Sequence, residues 1–390
     1  MTTDPTSYSL RLLGVLAAVL GVQSLGAAAP QPGDALMLLS SEGAVAGLGD
    51  GLRRGFSLAQ EQAQICGAKP TQWSVGWLPP GSNPAQKLRE RLLPPLVLAP
   101  AAAPLVETGL LAEDRRRQIL LPLQRGASLQ QLASRPGSDR LWPVAPARSL
   151  TIDALVKALV EKNLRSFMLV TDGSADQQLL ADRFLEGMRG QGGVLQGPDL
   201  QARAVDPNKP EELKLLVSDA DWYQPASLVV MTPSQSPLMQ AILKQSWPEG
   251  MELVWNVPPT DNSSQAQIGV ELTSRGPAWE SFQRDFLARY GYKPGTVEAA
   301  GYDSGLLVAL AASDPKITLT NGMKGFDPML KPKSVCQNLK HSLAGQAARP
   351  LGAGSNMDMK AAIPPTALLE VIQRAADGSS QRKRYNLGGN

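Results

Sequence analysis

The chain is 390 residues long, 43% apolar and 19% charged, with 36 glycines and 32 prolines. This is the composition of a globular protein with many loops and two or three domains' worth of core. A net charge of +3 is too small to argue for nucleic acid, and a single histidine tells against histidine-ligated zinc or a serine–histidine triad.

The first informative stretch follows Arg11. Residues 12–25, LLGVLAAVLGVQSL, have the length of a signal-peptide core, and the GAAAP that follows suits a signal peptidase near 26–28. The run is short for a membrane span and is interrupted by Gln23 and Ser24, so an uncleaved anchor is the lesser reading. No cysteine stands directly behind it, which excludes a lipoprotein anchor. The expectation is export, with residues 1–28 as the signal peptide.

Beyond the leader, apolar runs at 35–39, 72–78, 96–99, 118–123, 167–171, 227–231 and 251–257 predict strands. Most are nearly continuous, as in parallel strands buried on both faces. Amphipathic stretches at 48–64, 84–92, 149–163, 177–189, 211–218 and 237–245 predict helices between them. Such alternation indicates parallel α/β architecture. Two joints divide the series, RLWPVAPARS at 140–149 and IGVELTS at 268–274. Two lobes linked by more than one crossing follow.

The segment 282–312, FQRDFLARYGYKPGTVEAAGYDSGLLVALAA, is the most distinctive. Phe282, Phe286 and Tyr290 share one helix face, Lys293-Pro294-Gly295 breaks the helix, and Thr296 is placed to cap a second. The second helix carries Ala299, Ala300, Gly301, Ser304 and Gly305, so a neighbour can approach its backbone closely. Further on, SVCQNLKHSLAG reads as a polar helix with His341 at its surface, and ALLEVIQRAADG as a strand then turn or a short helix. No dinucleotide GxGxxG, Walker loop or HExxH occurs. No cofactor, metal or catalytic group is expected, and Arg115 to Arg117 read as a solvated helix end.

The 282–312 segment closely resembles the part of the periplasmic branched-chain amino-acid binding proteins in which F...Y...YG..P...AA.GYDA recurs. SSEGAVAGLGDGLRRGFSLAQEQ at 40–62 is similar to their first loop and helix, and LWPVAP at 141–146 to their first crossing. The resemblance runs in order over about residues 33–312. It implies the type I periplasmic-binding fold: two Rossmann-like lobes with parallel sheets, joined by a multi-strand hinge around a closing cleft. By that resemblance 33–145 and 273–345 form lobe 1, and 146–272 and 346–390 form lobe 2. If the last helix returns against lobe 1, Cys336 can reach Cys66, with two free buried cysteines as the other reading.

The family's ligand positions are only partly matched. Its serine falls on Ala103, its threonine on Ser128, and its second-lobe tyrosine on Asp176 followed by Gln177. The first-loop aromatic falls near Leu48, another tyrosine near Gln235, and the ammonium-binding acid near Asp261. Strand ends add Ser41, Glu42, Asp172, Ser174, Thr232 and Ser234 as ligand candidates, along with the backbone of 101–103. Each can equally cap the helix that follows it. Trp77 and Trp255 can stack on a ring or belong to the core.

The resemblance implies a periplasmic solute-binding protein, with a small polar solute in the cleft and an ABC-type membrane permease as partner. A receptor or envelope protein of the same fold that binds a protein is the alternative.

Overall fold

The computed structural model describes residues 35–79, 81–82, 96–98, 118–125, 134, 137–198, 201–260, 265–313, 323 and 325–387. The leader, Arg115 to Arg117, the helix expected at 84–92, the backbone of 101–103, Ser128 and Asp261 lie outside the described residues.

The first lobe opens with β1 (Ala35–Ser40), α1 (Ala44–Ile65) and β2 (Trp73–Leu78), and continues through β3 (Leu96–Leu98), β4 (Gln118–Leu121) and β5 (Leu141–Pro143). These strands make one parallel sheet in the order β2-β1-β3-β4-β5. The second lobe holds α2 (Ser149–Glu161), β6 (Ser166–Thr171), α3 (Ala175–Gly190), the short β7 (Val194–Leu195) and β8 (Arg203–Ala204), and α4 (Pro210–Tyr223). It goes on with β9 (Ser227–Met231), α5 (Pro237–Leu243), β10 (Glu252–Trp255) and β11 (Gln267–Val270). The chain then forms α6 (Trp279–Tyr290), α7 (Thr296–Ser313) and α8 (Val335–Leu343), and ends in the hairpin β12 (Leu368–Arg374) and β13 (Ser380–Asn386). The second sheet runs β13-β12-β11-β10-β9-β6-β7, with β8 beside β6, and is parallel except that β12 pairs antiparallel with both β11 and β13.

The predicted α/β alternation is therefore the observed one, with two corrections at the joints. Both joints contain strands, β5 and β11, whose short or polar sequences (LWP and QIGV) hide the period. The helix expected to stop at 218 continues to Tyr223, because Ala220 is buried as the next inward position. The return to the second sheet also comes later than residue 346. Met357 and Met359 lie in the first lobe's core, and Ala353 packs with Phe282 and Tyr302. Only β12 and β13 join the second sheet.

Burial explains why the strands are so apolar. One face of the second sheet packs Phe167, Val229 and Val254 against Leu155, Leu159, Phe184 and Met188. The other packs Met168, Val170 and Val230 against Leu216, Leu238 and Ile242. Full burial of such side chains contributes roughly 1.5–3 kcal/mol each.

The small residues of α7 meet α1, not the adjacent α6. A Cβ added at Gly301 would run into the Leu52 carbonyl, and one at Gly305 would stand 2.7 Å from the Phe56 oxygen. Gly55, on α1, meets the Glu298 carbonyl in the same way. Helix α6 covers this pair with Trp279, Phe282 and Phe286, set against Leu58, Tyr302 and Leu306. Cys66, just past α1, is bonded to Cys336 on α8, with their Cα atoms 4.8 Å apart.

Asp303, fully buried on α7, accepts hydrogen bonds from the Ala353 amide at 2.6 Å and from the Gly354 amide and Ser355 hydroxyl at 3.1 Å. Burial pushes its carboxyl up to about 7 against the pull of these donors.

Three outcomes are expected. Gly301→Val should destabilise the protein by about 3 kcal/mol or more in denaturant melts, since backbone must move to admit the side chain. A near-neutral result would contradict the close approach. Replacing both cysteines by serine should cost roughly 2–4 kcal/mol. Two titratable thiols in the unreduced, unfolded protein would contradict the pairing.

The third concerns pH. Because the folded-state pKa of Asp303 lies above its unfolded value of about 4, the native state holds the extra proton between those values. Its contribution is then greatest below about pH 4 and is lost as pH rises through about 7. The melting temperature should fall from pH 5 to pH 8, and Asp303→Asn should flatten that slope. An equal slope in the variant would clear Asp303 of the effect.

Candidate functional site

In parallel sheets the strand carboxyl ends carry the ligand-binding loops. Here both sheets turn those ends to the hinge. β5 ends at Pro143 and the chain passes through 144–148 directly into the first turn of α2, which lies at the carboxyl edge of the second sheet. β11 ends at Val270 and returns through 271–276 to α6. That return pairs with the third crossing, Arg275 with Leu368. Across it Glu370, buried, meets Arg275 at 2.8 Å, Arg384 at 2.9 Å and Arg382 at 3.3 Å. Burial pushes the Glu370 carboxyl up, but the arginines outweigh it and hold the group below its usual range.

On the first-lobe rim the Ser41 amide and hydroxyl both donate to the Leu78 carbonyl, at 3.0 and 3.3 Å. The hydroxyl is thus used in joining β1 to β2, while Glu42 is exposed. Trp77, one residue before the end of β2, is 51% exposed, whereas Trp255 is fully buried and donates its Nε1–H to Gln267. The strand tryptophans therefore divide, one to the surface and one to the core.

On the second-lobe rim Asp172 accepts from the Ser174 amide at 3.0 Å and from its hydroxyl at 2.7 Å. This is a local turn closed by its own side chains, made feasible by Gly173 at φ +78°. Asp176, in the first turn of α3, stands 3.2 Å from Arg148 Nη1. Ser234 is exposed and Gln235 is held left-handed at φ +58°. Ala103, Ser128 and Asp261 lie outside the described residues, so the rim is known from the other candidates.

Beneath the second rim runs a buried polar chain. The Thr232 amide donates to Asn256 Oδ1 at 3.0 Å, and Asn256 Nδ2 donates to Gln177 Oε1 at 2.8 Å. The Thr232 and Ser236 hydroxyls lie 2.7 Å apart, and Ser236 accepts from the Met239 amide at the start of α5. These bonds tie the ends of β9 and β10 to α3 and α5. Asn256 and Ser236 were not singled out from sequence. The available signal was a lone Asn closing the apolar run MELVW, since a buried amide demands partners.

The other residue that sequence reasoning missed is Arg125, just beyond β4. Its Nε donates to the Pro146 carbonyl at 2.8 Å and its Nη1 to the Leu272 carbonyl at 3.1 Å, one on each crossing. The Arg148 amide in turn donates to the Arg125 carbonyl at 2.7 Å. Burial and the neighbouring Arg148 charge bring the Arg125 guanidinium down to about 10.

Among the described residues no group of three His, Cys, Asp or Glu side chains is arranged to hold a metal. None of their helices is long and apolar enough to cross a membrane.

No protein-family model and no curated protein sequence matches the chain. Solved structures do. A Burkholderia xenovorans branched-chain amino-acid ABC transporter periplasmic ligand-binding protein superposes with a TM-score of 0.63 at 12% identity, covering 90% of this chain and 95% of that one. A Desulfitobacterium hafniense ABC transporter substrate-binding protein in complex with Leu gives 0.62 at 15%, covering 90% and 99%. An R. palustris ABC transporter solute-binding protein in complex with benzoate gives 0.55 at 14%, covering 91% and 96%. All three are transporter components. With both lobes and the hinge matched over nine-tenths of the chain, the protein has the two-lobed type I periplasmic-binding fold.

Proposed function

We propose that the protein is an exported solute-binding component of an ABC-type uptake system. It captures a small polar molecule between its lobes in the periplasm and presents the closed form to a membrane permease. The observation that carries this reading is the meeting of two strand-end rims at one hinge. In this reading Glu42 and Trp77 of one lobe and Asp172, Ser174, Asp176 and Ser234 of the other line the shared cleft. Such a cleft binds whatever its closed state holds better than its open one. Residues 1–28 serve as the export signal in this reading, and the reaction chemistry of an enzyme has no place in it.

A protein-partner role draws on a different observation. Leu215 and Trp222, seven residues apart on α4, share one outer face and are 52% and 82% exposed. Large apolar side chains clustered on a surface suit a partner.

A thermal-shift screen of amino acids, amides and organic acids separates the two. A solute at about 100 times its dissociation constant adds about 2.7 kcal/mol of stability, a readily visible rise in melting temperature. A hit is expected, and it should be weakened by Asp176→Ala. A flat response from cooperatively folded protein would overturn solute binding in favour of the partner role.

A further inference from the structure

We propose that β2 is a self-pairing edge, through which two copies of this chain join their first-lobe sheets antiparallel about a two-fold axis at Val75. The pairing does not depend on the solute-binding reading.

β2 is the outermost strand of the first sheet, and β1 is its one neighbouring strand among the described residues. The carbonyls of Gln72 and Leu78 accept from the Ala35 and Ser41 amides, so the even-numbered residues here turn towards β1. Backbone groups alternate sides along a strand, and those of Trp73, Val75 and Trp77 therefore point away from β1. Burial marks the same edge. All of β1 but its last residue is buried, whereas in β2 only Leu78 is.

An open edge is a template for another strand, and charged side chains are the common way to blunt it. This molecule charges one sheet edge and leaves the other neutral. β13, outermost in the second sheet, reads SQRKRYN and sets Arg382, Lys383 and Arg384 along its length. Two such strands brought together would place like charges against each other. Around β2, residues 70–86 contain no charged side chain. No charge there opposes a second copy, and Pro70 and Pro79 confine pairing to the strand between them.

The edge's own sequence selects a second copy over an unrelated strand. WSVGW presents Trp, Val, Trp at its odd positions whichever way it is read. Antiparallel pairing about Val75 sets Val75 opposite itself and Trp73 opposite Trp77 of the second copy, on both sides of the axis. Val75 then exchanges its outward N–H and C=O with its own copy, so side chains and hydrogen bonds match in one register. Aromatic pairs facing each other across strands are favourable. The three side chains share one face of β2, where Trp73 and Val75 pack on the first-lobe core and the Trp73 ring lies 4.9 Å from that of Phe56. The strip is thus fixed before a second copy arrives, and Trp77 ends it at 51% exposure. Two-fold pairing uses the same edge of both copies and closes, so assembly stops at a dimer.

Sedimentation of the purified protein from about 1 μM to about 1 mM should show monomers giving way to dimers, with no larger species. Trp77→Lys should weaken the dimer at least tenfold and leave the monomer's melting temperature unchanged, because that side chain is already half exposed. Val75→Cys tests the register. It places the new thiol opposite its own copy, with about 5.5 Å between Cα atoms, and should give a covalent dimer on mild oxidation. Ser74→Cys sets the thiols on a diagonal of about 7–8 Å and should not. The two native cysteines are bonded to each other and do not interfere.

A monomer throughout that concentration range would overturn the pairing. So would a dimer indifferent to Trp77→Lys, or Ser74→Cys cross-linking as readily as Val75→Cys.

Discussion

The close approach of α1 and α7 is the contact on which the first lobe depends. Backbone meets backbone there because Gly55, Gly301 and Gly305 carry no side chain, and each neighbouring carbonyl occupies the space a Cβ would need. Everything that returns to this lobe after the second is seated on that pair. Helix α6 lays Phe282 and Phe286 over it, and the disulfide secures α8 to the end of α1. Asp303, on the same helix, gathers the 353–355 loop by its own amides and hydroxyl. One helix therefore organises segments that are up to 300 residues apart in sequence, and the chain can leave for the second lobe and come back.

The hinge follows from this arrangement. Its three crossings are short, and they are linked sideways rather than left as independent strings. Arg125 joins the first crossing to the second through carbonyls, and Arg275 joins the second to the third through Glu370. Backbone pairing and half-buried arginines thus tie the three crossings to one another.

The cleft rims show how local chemistry divides the polar residues into two groups. Ser41, Asp172 and Ser174 spend hydrogen bonds on their own loops, as short polar side chains after strands commonly do. Thr232, Asn256 and Gln177 are committed below the surface, where unpaired groups would be expensive. Asp176 belongs to neither group. Its carboxylate faces Arg148, which stands ahead of another helix.

The α/β alternation, the two lobes, the α6–α7 helix pair and the small-residue face of α7 were legible from residue order, because burial on both sheet faces and helical periodicity write themselves into local apolar spacing. The strands β5 and β11 were not, since three or four residues with a proline, glutamine or glycine carry too little period to read. Nor were the site's charges. Arg125 looks like any loop arginine until Pro146 and Leu272 arrive from separate crossings, and Cys66 meets Cys336 only once α8 lies against the end of α1. Local pattern determined which elements exist. Which side chains share one hinge was decided by the tertiary structure, because that proximity depends on contacts between segments with no periodic relation in the chain.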